Sequence, residues 1–344
     1  MLNSSSSLKI SGTPSFTGMR RCTIVVPAWN ALHYLQRTIP SMKRAAIRHG
    51  DAAVVVVDNG STDGTGEYLR REHPDIVVIS IPRQSIGAAR NIGARAVDSS
   101  TIAFVDADCL MAEDHLVAAE RILTGGSIHI TGNSYDLPED PQWIERTWYY
   151  LHKRTADGIT RLIPAGNFVI TREAFEAVGG FDEKLTTGED AEFCQRLSCA
   201  GYHPFASSSV RVMHLGNPKS LRAFYSQNVW HSLGMFGTAR TNLLDRPLLM
   251  TAAHLVLTVG TLFNLVNPAV PLSIRLCLLF LSQLIAPMAT VVYRLVSEGG
   301  GITRHNVVPE IARAVLLYWL YYWARLHALL LVITRRGARY TKRM

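Results

Sequence analysis

Apolar and polar positions alternate in blocks along the first two thirds of the chain. Short apolar runs at Cys22–Pro27, Ala52–Asp58 and Ile76–Ser80 read as buried strands, and the stretches Ala31–His49, from near Asp63, and Ile86–Val97 read as helices. A further run, Ile102-Ala103-Phe104-Val105, ends abruptly at Asp106 and Asp108. Strand and helix blocks in alternation predict βαβ units and an α/β domain built on a mostly parallel sheet flanked by helices. Such sheets collect ligands at the carboxyl ends of their strands.

Beyond residue 246 the pattern changes. From Pro247 to Tyr293 the only formally charged residue is Arg275. Leu248–Val266 and Leu272–Val292 are apolar on all faces, and about 19 residues of helix cover roughly 28 Å, the thickness of a hydrocarbon core. A Pro-rich break at Asn267–Pro271 separates them, which predicts a membrane hairpin over 247–293. A third apolar stretch, Ile311–Ile333, carries Arg313, Arg325 and His327 among Tyr318, Trp319, Tyr321, Tyr322 and Trp323. Arginine at mid-membrane is costly and aromatic belts mark the interface, so residues 311–344 are expected to form an interfacial amphipathic helix with a basic tail, the alternative being a third span.

Charge sharpens this division. The net charge is +8, yet from Arg294 onward there are nine Lys or Arg against two Glu, a local +7 that leaves about +1 for the rest. Basic residues confined to the tail beside apolar runs point to an anionic membrane surface, not to nucleic acid. Basic residues also flank both sides of the hairpin (Arg240, Arg246, Arg294, Arg304), which by the positive-inside rule places those flanks in the cytoplasm. The expected location is therefore the cytoplasmic membrane, with the α/β domain in the cytosol. The five cysteines form no CxxC pair or His/Cys metal spacing and read as reduced. Residues 1–20 are Ser-rich without an apolar core and read as a disordered leader.

Candidate chemistry sits at the strand ends. Asp106 and Asp108 at a buried strand tip need a cation or donors, so they suit Mg²⁺ or Mn²⁺ bridging to phosphates, or else the capping of a helix near Glu113. Pro27 ends the first strand, and Asn30 is placed to cap the next helix. Asp58 ends Val54–Val57 in the crevice, free to accept from a base or ribose, while Asp63 suits a helix N-cap. Arg90 and Asn91, at a helix start, could meet a phosphate or base, and the small residues around them let the helix pack closely on the sheet. An insert between Pro138 and Pro164 with Trp143, Trp148, Tyr149, Tyr150, Lys153 and Arg154 reads as an amphipathic surface helix, with an aromatic acceptor pocket as the alternative.

Pro27-Ala28-Trp29-Asn30, Asp58 to Thr65, Gly87 to Ala94 and Asp106-Ala107-Asp108 together resemble the ordered motifs of family 2 glycosyltransferases with the GT-A fold. The resemblance covers roughly Thr23 to His214, and residues 21–240 are expected to form the catalytic domain. It implies inverting transfer of a sugar from a nucleotide-diphosphate donor, with Asp58 at the base, Asp106 at the ribose and Asp108 on the metal. Gly166-Asn167-Phe168-Val169-Ile170 looks like a strand near the acceptor. Thr187 to Arg196 looks like the family's ED motif, with Glu189 toward the acceptor and Asp190 as catalytic base. His214 resembles a further metal ligand of some members, although a histidine after a strand is also an ordinary structural residue. His231 is a weaker candidate for the diphosphate. Gln227 and Trp230 are present without the Arg-Trp pair of processive synthases, which implies one sugar added per encounter.

The expected reaction is transfer from a nucleotide sugar, UDP-linked by expectation, to a membrane-associated acceptor such as a lipid-linked or cell-surface glycan intermediate, or polyprenyl phosphate itself. A positioned carboxylate accepts the acceptor's proton while a metal stabilises the leaving diphosphate. A non-catalytic sugar-nucleotide-binding subunit would have no need of Asp190, and a nucleotidyltransferase would call for a Gly-rich basic loop after the first strand, where Pro27–Asn30 stands.

Overall fold

The computed structural model describes residues 9–11, 20–153, 156–238, 246–297 and 307–334. Its strands are β1 (Lys9–Ser11), β2 (Arg20–Ala28), β3 (Ala52–Asn59), β4 (Val77–Ile81), β5 (Ser99–Val105), β6 (Cys109–Met111), β7 (Ile130–Gly132), β8 (Gly158–Ile159), β9 (Asn167–Thr171), β10 (Phe205–Ala206) and β11 (Val212–His214). Its helices are α1 (Leu32–His49), α2 (Thr65–Glu72), α3 (Ile86–Arg95), α4 (His115–Leu123), α5 (Trp143–His152), α6 (Arg172–Ala177), α7 (Glu189–Cys199), α8 (Leu221–Thr238), α9 (Arg246–Asn264), α10 (Leu272–Ser297) and α11 (Val307–Ile333). The chain forms two compact units, one from Met1–Pro138 with Ala156–Gly216 and one from Glu139–Thr155 with Asn217–Met344.

The first unit is a nine-stranded sheet in the order β1-β4-β3-β2-β5-β9-β7-β10-β8. The parallel sheet expected from the βαβ pattern is the half formed by β4, β3, β2 and β5. Beyond β5 the sheet becomes mixed, because β9 runs antiparallel to both β5 and β7. The period-two geometry of strands sorts the side chains onto two faces. Ile24, Val26, Val54, Val56, Ala103 and Val105 pack with Leu35, Ile39 and Met42 of α1 and Leu116 and Ala119 of α4. Val25, Ile102 and Phe104 pack with Ala94 of α3, Phe175 of α6 and Phe193 of α7. The close approach of α3 depends on Gly93, where a Cβ would meet Val25 and lie 3.0 Å from a methyl of Val57.

Short connections then bring polar groups to the carboxyl ends. A second sheet of two strands pairs β6 with β11 in antiparallel register, setting His214 opposite Cys109. Two expectations change here. Lys9–Ser11 of the expected leader pairs antiparallel with β4 at the sheet edge; residues 1–8 and 12–19 lie outside the described residues. Asn30 is not the cap of α1, whose N-cap is Ala31. Asn30 adopts φ 49° and its Oδ1 accepts from Thr62 N at 2.8 Å, while Asp63 accepts from Leu32 N at 3.1 Å and from Thr65 N at 3.0 Å, so one carboxylate serves the first turns of both α1 and α2.

In the second unit, α9, α10 and α11 are each long and apolar enough to cross a membrane, over Pro247–Asn264, Leu272–Val296 and Val307–Ile333. α8, grouped with the catalytic domain in the sequence reading, packs along α11 through Phe224 and Leu317 and through Val229, Ala324 and Ala328. The aromatic insert is α5. Its Trp148 packs on Phe224, Tyr318 and Tyr321 with ring centroids 4.9, 5.3 and 5.7 Å away, and Lys153 lies over Tyr149. Those aromatics are packing residues, as an amphipathic helix requires. α11 runs beside the hairpin: the hydroxyls of Tyr322 and Thr290 of α10 are 2.6 Å apart, Trp323 donates to Gln283 at the middle of α10 at 3.2 Å, and His254 of α9 stacks on Tyr322. Arg325 is buried there, donating to Thr251 Oγ1 at 2.9 Å and to the Tyr321 hydroxyl at 2.6 Å. The basic tail beyond residue 334 lies outside the described residues.

Candidate active site

The centre of the site is Arg90, on the inner face of α3 and 2% exposed. Its Nη2 donates to Asp106 Oδ1 at 2.7 Å and its Nη1 to Glu189 Oε1 at 2.6 Å. One guanidinium thus ties the tip of β5 to the first turn of α7. Burial alone would favour the neutral form, but the two carboxylates outweigh it and hold Arg90 charged. Arg90, expected to meet a phosphate, here has both ends of its guanidinium on protein carboxylates. Glu189, expected toward the acceptor, is the partner of that buried charge.

Asn91, expected to meet a phosphate or base, is likewise bonded to protein groups. Its side-chain NH₂ donates to Phe181 O and Glu183 Oε1, each at 2.9 Å, and its Oδ1 accepts from Phe181 N at 2.9 Å. It staples the Gly179–Glu183 loop to α3, and Gly180 (φ 78°) is required there because a Cβ would lie 2.6 Å from Asn91 Oδ1. Asn167, expected near the acceptor, is fully buried and bonds His115 Nε2 at 2.8 Å and Val210 O at 3.0 Å. Burial pushes the His115 imidazole down to about 4, so it is neutral and joins Asn167 as a structural pair. Gly166 has to be glycine: a Cβ there would collide with Asp106 Oδ2 and the Tyr135 hydroxyl.

Asp190 follows Glu189 at the start of α7, where its Oδ1 accepts from Ala191 N at 2.8 Å. Burial, then the charge of Glu189, raises its carboxyl to about 6, with Asp106 adding to the rise and Ala191 N and Arg90 opposing it. Asp190 and Asp106 therefore belong to one electrostatic cluster. Tyr135 is part of it: burial and then Asp106 push its phenol well above the usual range, with Asp190 contributing, so the hydroxyl stays protonated and donates to Asp106 Oδ2 at 3.4 Å.

On the other side of β5, Asp108 Oδ2 lies 3.2 Å from His214 Nε2. Burial would raise the Asp108 carboxyl, but His214 outweighs it and keeps it below the ordinary value. Tyr135 stacks on the His214 ring with centroids 4.7 Å apart and planes at 27°, which fixes the imidazole. Cys109 Sγ sits 4.0 Å from Asp108 Oδ1, and one ligand atom from each of Asp108, Cys109 and His214 lies within 4.8 Å of the others. Burial, then the charges of Asp108 and Asp106, raises the Cys109 thiol well above its usual range. Gly216 is glycine because a Cβ would strike Asp108 Oδ2. A carboxylate oxygen and an imidazole nitrogen converging on one point suit a divalent cation.

At the third strand tip, Asp58 is 7% exposed and its Oδ1 accepts from Ser61 N at 3.1 Å, which leaves Oδ2 lying over Gly66. Pro27 lies within β2, in register with Val57 of β3, one residue before the Ala28–Asp58 pair. Trp29 at that rim is covered by Arg83, 3.8 Å from its ring centroid. His231 lies on α8, in the helical unit. Sequence reading missed Tyr135 and Cys109. Cys109 could have been noticed as the neighbour of Asp108, but Tyr135 reaches the site only through the pairing of Asp136 with Met213.

The carboxyl edge of the sheet thus presents Asp58, Asp106 and Asp108, with Asp190 at the start of α7. Residues 23–179 match the model of Glycosyl transferase family 2, so this part of the chain is a family 2 glycosyltransferase domain that works with nucleotide-sugar donors. Among curated proteins it is 24% identical over 204 residues to glycosyltransferase AglE of Haloferax volcanii, spanning 57% of this chain and 67% of that one. It is 26% identical over 219 residues to the succinoglycan biosynthesis protein ExoA of Rhizobium meliloti, spanning 59% of this chain and 65% of that one. The fold resembles the mannosyltransferase PcManGT of Pyrobaculum calidifontis, solved in complex with GDP-Man and Mn²⁺, with a TM-score of 0.57, 18% identity and coverage of 91% and 88% of the two chains.

Proposed function

We propose that the chain is an inverting, metal-dependent, non-processive glycosyltransferase that moves a sugar from a nucleotide-diphosphate donor, a UDP-sugar by expectation, to a membrane-associated acceptor such as a lipid-linked or cell-surface glycan intermediate. Asp190 is the base. A carboxyl raised to about 6 is ionised at neutral pH yet more basic than an ordinary aspartate, which suits removal of the acceptor's hydroxyl proton as it attacks. Arg90 holds the start of α7 against the tip of β5, so the base and Asp106 keep a constant separation. Asp58 accepts from the nucleoside and Asp106 from the ribose. Asp108 and His214 hold Mg²⁺ or Mn²⁺, which when bound supplies positive charge to the departing diphosphate.

The helical unit attaches the enzyme to the membrane. In our reading α9 and α10 form the spanning hairpin with basic flanks toward the cytosol, and α11 lies at the interface. A lipid-borne acceptor fits an enzyme held there.

The observation that carries the proposal is the Arg90 bridge, which at 2.7 and 2.6 Å joins Asp106 to Glu189, the residue before Asp190. Its test is Asp190→Asn, assayed with the donor that best stabilises the protein against heat. Turnover should fall on the order of 10²- to 10⁴-fold with donor binding preserved, and wild-type turnover should fall as pH drops below about 6, where Asp190 takes up its proton. Loss of binding in place of turnover, or an acid limb unchanged in Asp190→Asn, sinks the assignment.

A further inference from the structure

The antiparallel pairing of β6 with β11 places Cys109 directly opposite His214, and Asp108 precedes Cys109 in the chain. Carboxylate, thiol and imidazole thus reach one point from adjoining backbone, with their ligand atoms all within 4.8 Å of one another. The carboxylate and imidazole atoms are 3.2 Å apart. Two ligands held at about 2.0 to 2.1 Å by a tetrahedral zinc ion are separated by about 3.3 Å, so this pair is already spaced for such an ion. The His214 ring is pinned by Tyr135, and the Asp108 carboxylate is backed by a glycine that leaves room for it. The cysteine is fully buried and takes no part in the proposed reaction.

A hard ion such as Mg²⁺ has little affinity for sulfur and is served by oxygen donors and the donor's phosphates. A borderline-soft ion is bound by carboxylate, imidazole and thiolate alike, and the Irving–Williams order favours Zn²⁺ over Mn²⁺ at any mixed site. We propose that Asp108, Cys109 and His214 form a three-residue site for Zn²⁺ and ions of similar softness, which displace the working ion and hold the enzyme idle. On coordination the S–H bond of Cys109 is replaced by an S–Zn bond and the proton passes to solvent, with no oxidation. The inference rests on the reading of Asp108 and His214 as the metal pair and extends it to a residue that the hard ion does not use.

Co²⁺ is the probe, because thiolate ligation gives it an intense near-ultraviolet charge-transfer band. The full-length protein in detergent, titrated with Co²⁺, should develop that band, and Mn²⁺ in excess should abolish it. Cys109→Ser and Cys109→Ala should lose the band and bind Zn²⁺ on the order of tenfold or more weakly, while Mn²⁺ affinity stays within about twofold. Co²⁺ bound in competition with Mn²⁺ but without the band overturns the proposal, as does a band or a Zn²⁺ affinity that survives both substitutions. If neither Mn²⁺ nor Co²⁺ binds and Asp108→Ala changes nothing, the underlying metal pair falls as well, which separates that failure from a failure of the cysteine alone.

Discussion

The two units of the molecule bury opposite kinds of group. In the sheet unit Arg90 is 2% exposed and Glu189 7% exposed, and the apolar side chains of the central strands are hidden. In the helical unit Val256, Phe263 and Phe280 are 69, 73 and 64% exposed. Charges turned inward with hydrocarbon concealed is a protein solvated by water; hydrocarbon turned outward is one solvated by lipid. The contrast also shows where a buried charge finds compensation. Arg90 is held by two carboxylates, whereas Arg325 in the helical unit is held by hydroxyls of Thr251 and Tyr321. The first arrangement ties the tip of β5 to the start of α7.

Removing the cation from the sheet unit tests that contrast most severely. Arg90→Met leaves two carboxylates facing each other in the interior, so it should destabilise the protein by about 3 to 5 kcal/mol, read as a fall in melting temperature of the detergent-solubilised enzyme on the order of 10 °C. A melting temperature within a degree or two of wild type would mean that the cluster is not buried in the way described. The converse change puts a charge on the hydrocarbon of the helical unit. Phe280→Asp should cost about 3 kcal/mol of insertion and lower the carbonate-resistant membrane fraction, whereas an unchanged fraction would remove α10 from the bilayer. The mildest change refines the picture inside the sheet unit. Tyr135→Phe keeps the stack on His214 but deletes the hydroxyl donor to Asp106, and a single hydrogen bond of this length is worth about 1 kcal/mol, or roughly fivefold in kcat/KM. A larger loss with weakened Mn²⁺ binding would show that the hydroxyl also governs the metal side.

Much of the sheet unit was legible in the sequence because its signals are local. The run Val54–Val57 can only be a doubly buried strand, and its neighbour Asp58 then has to stand at the crevice. Asp63, expected as the N-cap of α2, stands one residue before the actual cap, Gly64, and its carboxylate accepts from the first turns of two helices. Arg90 and Asn91 sit in the middle of α3 and not at its start, and whether such a residue faces a ligand or a distant segment of the chain does not show in one dimension. What separates them is the arrival of Glu189 and Phe181, about ninety to a hundred residues later, and no local pattern reports that. Asn167 misled in the same manner, its partner His115 lying 52 residues away.

By itself the sequence determined the family, the strand tips bearing Asp58, Asp106 and Asp108, and the change of solvent near residue 246, since periodicity, motif order and hydropathy act over a few residues. Only the tertiary structure decided which acids are neutralised and by what, how far Asp190 is raised, and that Tyr135 and Cys109 adjoin Asp108 and His214. Those outcomes depend on desolvation and on charges a few ångströms apart in space, and the chain brings such groups together only after the strands have paired.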